Sequence, residues 1–491
     1  MKHHAHECNT HKNAEKNNTH DTSQRSSHLV SRRQALRGIG TAAGVLSLPA
    51  ASAPAMAEND LKGPQPPADE PIDRTAMTPV EVPTDVTDLR DYIAAQQDDD
   101  NLSGNLFKIP PGEYTWSSEE VETYGHDWGI QGQGEQGDVT IMLEPGQGLG
   151  DDAGFGNRLL NHWEGGNLLF ENLDFDSEGR AAGSFGNLGS GPALYHRLRW
   201  LMPGCDGWTD SDGNERGEYQ AGSNCIALAH EGDEILVDRC VGHNRGVLNY
   251  QNQGSRFIFA SSSGDLHVRR CKYTGGPDNT IYTRMNGDML VEHCVFANTT
   301  GGVRTGGDTL GEEVVRDCTF WIDTSRGEVI IYDDPINQRI NTPGVQFDPK
   351  PGSDRAGPFA TVRRCNFMVE ETPNASGAIR ALSEMDHVVV DDCQFMLNDE
   401  DVPGLGASDI DRVDLTDNVF ATRTGSGVCE STIDGDYSES SDNFVDQRLS
   451  VCRLDDPRRG RPFKPPRVHP FPEPDDFSFP EIRDQPPQRK P

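Results

Sequence analysis

Apolar and polar positions recur along this chain in one eight-residue phrase. It reads LHVRRCKY at 266–273, MLVEHCVF at 289–296, EVVRDCTF at 313–320, ATVRRCNF at 360–367 and VVVDDCQF at 388–395. Looser copies are NLLFENLDF at 167–175, ILVDRCVG at 235–242 and VDLTDNVF at 413–420. Cys271 to Cys294 is 23 residues, Cys294 to Cys318 is 24, and Cys393 to the equivalent Asn418 is 25. Cys318 to Cys365 is 47, which reads as about two such steps. A fixed period in this range marks a stacked solenoid.

The parity of the phrase selects the solenoid. Met289 and Val291 alternate as on one strand, and Cys294 and Phe296 as on another. Val291 and Cys294 are three apart, so a single straight strand would send them to opposite faces. Both point inward only if the chain turns at Glu292-His293. That pair is polar in the other copies as well: Asp238-Arg239, Arg269-Arg270, Arg316-Asp317 and Asp391-Asp392. Strand, corner, strand, loop and third strand within some two dozen residues describe one coil of a parallel β-helix. A helical period of 3.6 does not fit the same residues.

Around these coils the chain divides into four parts. Within 1–57, the run Ser31–Ala57 carries Arg32-Arg33, a mildly apolar stretch and small residues at Ala55 and Ala57, and it resembles a twin-arginine export signal whose removal leaves Glu58 first. The histidines and cysteine at its start (His3, His4, His6, Cys8, His11) are read as leader, not metal site. Residues 58–85 read as a Pro- and Asp-rich linker. Residues 86–445 form the repeat domain, opened by a short helix with Leu89, Tyr92 and Ile93 on one side and Thr84 or Asp85 as its cap. Residues 446–491, rich in Pro and Arg without the phrase, read as a disordered tail. No stretch after the signal is long and apolar enough to span a bilayer.

Following that helix, LFKIPPGEYTW at 106–116 and GIQGQGEQGDVTIML at 129–143 complete a pattern. With the repeats, it resembles the right-handed parallel β-helix family akin to pectate lyases and polygalacturonases. The resemblance spans about 86–445 and implies an all-β right-handed solenoid. It does not fix the chemistry, because that fold carries lyases, hydrolases, adhesins and tailspikes.

Composition narrows the partners. The formal net charge is −35, which argues against nucleic acid and anionic membranes and suits a solvated surface in high salt. Cys240, Cys271, Cys294, Cys318, Cys365 and Cys393 share one position of successive coils, so they read as an inward ladder of small apolar side chains, not as metal or redox chemistry. Cys205 with Cys225 and Cys429 with Cys452 stand off the ladder and are the pairs left for disulfides. Asp391-Asp392 matches the paired aspartates of polygalacturonase-like hydrolases but falls on the polar corner, and Gly242-His243-Asn244 precedes it where that family has its histidine after. His230-Glu231 and His243-Asn244-Arg245 read as turn residues. The acidic run Asp210–Glu215 has calcium-loop spacing without a full ligand set.

The candidate surface is the strand after each phrase: GVLNY (246–250), TIYTR (280–284), GVRT (302–305), EVIIYDD (328–334) and GAIRA (377–381). With Val247, Ile281, Val303, Val329 and Ile379 inward, Leu248, Tyr282, Arg304, Ile330 and Arg380 form one outward column. Tyr250, Arg284 and Tyr332 fall in the next. Such an Arg and Tyr stripe suits an anionic polysaccharide or cell-surface glycan, with tyrosines stacking on sugar rings and guanidinium forks pairing with acidic groups. Asp308, Asp333 and Asp334 are the carboxylates nearby, for Ca²⁺ or acid-base work. The family resemblance implies β-elimination, in which Ca²⁺ or an arginine neutralises a uronate and a base takes the adjacent proton. In that scheme Arg284 or Arg304 is base or neutraliser and Asp333 a ligand. A non-catalytic adhesin using the same face is the rival expectation, and a tailspike-like protein the third.

Overall fold

A computed structural model describes residues 69–98, 102–117 and 121–143 and, between 158 and 434, the strands of the coils with part of their connections. All belong to one compact unit, Asn59–Pro491. The fold is the expected right-handed parallel β-helix. Among the described residues, one sheet of 12 strands and two of 11 form its walls, and each coil gives one strand to each wall. The phrase supplies the first two walls: Met289–Glu292 lies in the first sheet and Val295–Ala297 in the second, with Gly301–Gly307 following in the third.

The corner between the first two walls is a single residue in the left-handed region. His293 has φ 54°, and the equivalents Asn172, Arg197, Arg239, Arg270, Asp317, Arg364 and Asp392 fall between 51° and 57°. Outside glycine that region is uncommon and favours short polar side chains, though arginine is the commonest occupant here. The turn keeps Val291 and Cys294 both at 0% exposure. Stacking then repeats each inward side chain at the strand spacing. The six ladder cysteines are free and buried. Each Sγ sits 3.2 to 3.6 Å from the carbonyl oxygen two residues earlier, as in Cys294 to Glu292. At the far end Asn418 takes the position, its Oδ1 accepting from the Cys393 backbone N–H at 2.9 Å and its Nδ2 donating to the Val390 carbonyl at 2.8 Å. Beside the cysteines Phe296, Phe320, Phe367 and Phe395 stack with centroids 4.8, 4.9 and 4.8 Å apart. Strand spacing and ring spacing coincide, so one register serves backbone and core.

Cys318 to Cys365 is one coil, not two. Glu312–Arg316 pairs directly with Phe359–Arg363, and Thr319–Asp323 with Asn366–Glu371. The surplus residues leave the coil in the connection between the second and third walls. A smaller surplus leaves likewise between Cys240 and Cys271. These excursions meet: Val247 and Leu248 pair in parallel with Ile330 and Ile331 as a separate two-stranded sheet. Their parent coils are three strands apart, about 14 Å, so this pairing spans the two coils between them. The strands expected at 246–250 and 328–334 are therefore not in the third wall. Ile258–Ala260 and Thr342–Pro349 hold those places.

The open end of the barrel is closed by the helix Leu89–Asp98, with Leu89 and Ile93 each 1% exposed. Its cap is Asp88, whose Oδ1 accepts from the Asp91 backbone N–H at 3.2 Å, in place of Thr84 or Asp85. The stretch read as linker contributes structure from Asp69 onward. Thr78–Glu81 becomes the first strand of the first wall, paired with Asn105–Ile109. Ahead of it Ile72 and Met77 cover a stripe on that wall's outer face, Leu106, Leu169, Leu194 and Leu236. This arm is fastened by Arg74, which donates from both terminal nitrogens to Glu171 at 2.8 and 2.9 Å, and by Asp69, which accepts from both terminal nitrogens of Arg269 at 2.6 Å. No helix among the described residues is long and apolar enough to cross a membrane.

Candidate functional site

The third wall carries the candidate site on its outer face. Ile281, Val303, Val345 and Ile379 point inward at 0 to 1% exposure. Their neighbours therefore point outward, and the register puts Phe259, Tyr282, Arg304, Gln346, Arg380 and Gly406 in one row along the axis. Tyr282, Arg304 and Arg380 stand where the sequence placed them relative to one another. Leu248 and Ile330 do not: they belong to the separate two-stranded sheet, and Gln346 takes the place given to Ile330.

A local motif builds this row. Gly302-Val303-Arg304, Gly344-Val345-Gln346 and Ala378-Ile379-Arg380 share the order small, β-branched, polar. The first residue must be small because the strand lies against the phenylalanine stack: a Cβ at Gly302 would meet the Phe320 ring at 2.6 Å, and one at Gly344 the Phe367 ring at 2.5 Å. The middle residue fills the core, and the third is set on the surface. That motif finds Gln346 in the sequence, whereas Gly246-Val247-Leu248 shares only its first two positions and Glu328-Val329-Ile330 only its second.

Tyr282 is not an open stacking platform. It is 5% exposed, and the Arg304 guanidinium carbon lies 5.1 Å from its ring centroid. The ring's negative face holds the cation in a cation–π contact worth about 0.5–1 kcal/mol or more when desolvated. Tyr282 is thus a positioning residue for Arg304. Gln346 is 3% exposed, whereas Arg304 and Arg380 are half-buried. From Ile226 to Gly406 the row contains two arginines and no acid. A row of one sign is distinctive on a chain of net charge −35.

The other sequence candidates divide. Arg284, Tyr250, Tyr332, Asp308, Asp333 and Asp334 lie outside the described residues, as do Cys205, Cys429, Cys452 and the side chain of Cys225. The acidic run at 210–215, apart from the backbone of Glu215, does too. Asp391 ends a first-wall strand and pairs with Arg363 at 2.8 Å, and Asp392 is the corner residue at φ 51°. Among the described residues no three His, Cys, Asp or Glu side chains converge as a metal site.

A second charged row, not anticipated, runs along the first wall: Glu81, Lys108, Gln131, Glu171, His196, Asp238, Arg269, Glu292, Arg316, Arg363 and Asp391. Its signs largely alternate and its members pair with one another. Glu171 is fully buried and accepts from Arg74, His196 and Gln131. Burial opposes its charge, but Arg74 and His196 prevail and bring its carboxyl down to about 2.

No family model and no curated protein matches this chain. Solved structures resemble it at low identity. A mannuronic acid specific polysaccharide family 6 lyase from human gut microbiota is 12% identical, with 74% of this chain and 83% of that one covered, at a TM-score of 0.34. The catalytic unit of a thermostable GH87 α-1,3-glucanase from Streptomyces thermodiastaticus is 13% identical over 74% and 70%, at 0.32. A Geobacillus virus E2 protein, ORF18, is 10% identical over 65% and 53%, at 0.28. Likenesses at these scores carry no argument about activity, and the fold rests on the strand registers.

Proposed function

We propose that the outer face of the third wall binds an anionic extracellular polysaccharide laid along the coil axis, with Arg304 and Arg380 pairing its acidic groups. The observation that carries this reading is the acid-free row with two arginines on a strongly acidic chain. A guanidinium donates through a planar fork that fits carboxylate and sulfate. A polyanion that approaches elsewhere meets repulsion, and here it meets charge of the opposite sign. Export through the Arg32-Arg33 signal is part of the same proposal, since it would deliver the protein to such polymers.

Affinity electrophoresis of the full-length protein through gels containing uronate or sulfated polysaccharides tests the reading. Retardation is expected on at least one polyanion and none on neutral glucan. The Arg304→Ala/Arg380→Ala variant should bind at least tenfold more weakly, about 1.4 kcal/mol or more. Equal retardation of both proteins would refute the site. The same samples, with and without Ca²⁺, report depolymerisation through the ultraviolet absorbance of unsaturated products. Absorbance lost in the variant assigns a lyase, and binding without new chain ends assigns a surface-attachment protein.

A further inference from the structure

Past the N-terminal arm the outer face of the first wall changes character. The leucine stripe that Ile72 and Met77 cover ends at Leu236. In register beyond it stand His267, Leu290, Val314, Thr361 and Val389, all half-buried. On the side away from the alternating charges runs a second row, of acids: Glu234, Asp265, Asp288 and Glu312, followed by Phe359. Asp288 and Glu312 are exposed. Phe359 is 39% exposed, one of two large apolar side chains so exposed among the described residues. Its ring stands edge-on to His387 with centroids 4.8 Å apart, and His387 Nε2 lies 2.8 Å from Asp414 Oδ2. A fixed aromatic ring beside carboxylates suits a basic, proline-rich chain, whose prolines pack on the ring while the acids answer its cations.

This protein carries such a chain. Pro457–Phe471 reads PRRGRPFKPPRVHPF, with Arg458, Arg459, Arg461, Lys464 and Arg467 and no acid, on a chain of net charge −35. Pro462 and Pro465 are three apart, one turn of a polyproline helix. We propose that this segment, which lies outside the described residues, docks on the first wall of its own chain, its prolines on Phe359 and its cations on Asp288 and Glu312. The reach is sufficient. The last described strand, Thr432–Asp434, follows Arg412–Thr416 in the same coil, and the strand of Phe359 is two places from that one, about 10 Å. Residues 435–456 span up to about 70 Å when extended. A missing N–H at proline costs nothing here, because the wall's own backbone groups are paired along the sheet. Other occupants fit less well. Residues 58–68, just ahead of the arm, carry Glu58, Asp60 and Lys62 and do not answer a row of acids. A second copy placed face to face would set that row against itself.

The test follows trypsin cleavage after Arg459 and Arg467, on either side of the prolines, in the full-length protein and in a synthetic peptide of residues 453–491. Cleavage tracks the undocked fraction and should be about tenfold slower in the protein. Phe359→Ala should raise it about fivefold. So should Asp288→Asn/Glu312→Gln, which removes two charges and keeps an acceptor for the Glu312 backbone N–H. Tyr124→Ala, at the other exposed ring, should leave it unchanged. Melting curves confirm that each variant is folded. Carbodiimide coupling of a mixture of isotopically labelled and unlabelled protein then shows which carboxylates Lys464 meets, and Asp288 or Glu312 of the same chain is expected. Cleavage as fast as in the peptide would overturn the docking. Protection that neither Phe359→Ala nor the double variant relieves would overturn it too. Coupling found only between labelled and unlabelled chains would give the face to a second copy and overturn it as well.

Discussion

The outer faces of the first and third walls are built on the same lattice of strands and use charge in opposite ways. On the first wall neighbouring rungs alternate in sign, so Arg269 answers Asp238 at 2.9 Å and Arg316 answers Glu292 at 2.6 Å. An arm of the same chain then lies over part of that face. In the third-wall row that holds Tyr282, the two arginines stand two rungs apart with Gln346 between them and no acid in the row. A strand spacing of about 4.8 Å suits either use. Which one results depends on whether adjacent rungs cancel. Charges that cancel along a row contribute to the fold, whereas a row whose charges share one sign gives a polyanion no acid to displace.

The largest test of this contrast is Arg74→Ala. It removes the main cation facing Glu171, a carboxylate at 0% exposure, and frees the arm that carries Ile72 and Met77. Breaking one partner of a buried pair costs about 3–5 kcal/mol. The denaturant midpoint should fall sharply, while polysaccharide affinity, seated on the opposite use of the lattice, should hold in the protein that remains folded. Arg304→Ala/Arg380→Ala should do the reverse, with stability within about 1 kcal/mol of the parent and binding lost. If both variants changed both properties alike, the two faces would not be separate devices.

Acid separates the faces next. Glu171 and Asp69 both have carboxyls lowered to about 2, Glu171 by Arg74 and His196 against burial, Asp69 chiefly by Arg269. A carboxylate whose folded value lies below its unfolded one adds stability above the unfolded value, and that stability is lost as pH falls towards the folded value. For Glu171 the full difference corresponds to about 3 kcal/mol. Melting temperature should therefore decline between about pH 4.5 and 2, and the decline should be shallower in Arg74→Ala. The arginines of the third wall do not titrate in this range, so binding should weaken there only as the polymer's own acids protonate.

What the sequence disclosed follows from where repetition is enforced. Val291 and Cys294 fill the barrel in every coil, so the corner between them was legible from parity, and the left-handed φ at His293 is its physical form. The cysteine ladder was legible for the same reason. Gln346 was hidden because the excursions at 247–248 and 330–331 are as apolar and β-rich as a wall strand, and only the pairing of Glu312–Arg316 with Phe359–Arg363 shows that no coil lies between. The arm was hidden because it meets the wall once and repeats nothing. Asp69 and Arg74 look like ordinary linker charges until Arg269 and Glu171 stand opposite. At the site, sequence parity gave Tyr282, Arg304 and Arg380 their shared row but not the role of the tyrosine, which depends on a ring turned under a guanidinium.

That role is the smallest effect and the sharpest discriminator. If Tyr282 met sugar directly, loss of its ring would remove a stacking contact, and affinity would fall for neutral and acidic oligosaccharides alike. As a cradle for Arg304 it acts through charge alone. Tyr282→Leu keeps apolar bulk at a 5% exposed position and removes the π face under the guanidinium, 5.1 Å away. A cation–π contact of about 0.5–1 kcal/mol sets the expected loss at roughly two- to fivefold. Tyr282→Phe retains the face and should bind within about twofold of the parent. The deciding measurement is a double-mutant cycle on polyanion affinity. With Arg304 already replaced by alanine, Tyr282→Leu should cost nothing further, because there is no cation left to hold. A cost that persists in that background would make the ring itself a sugar contact and return Tyr282 to the binding face.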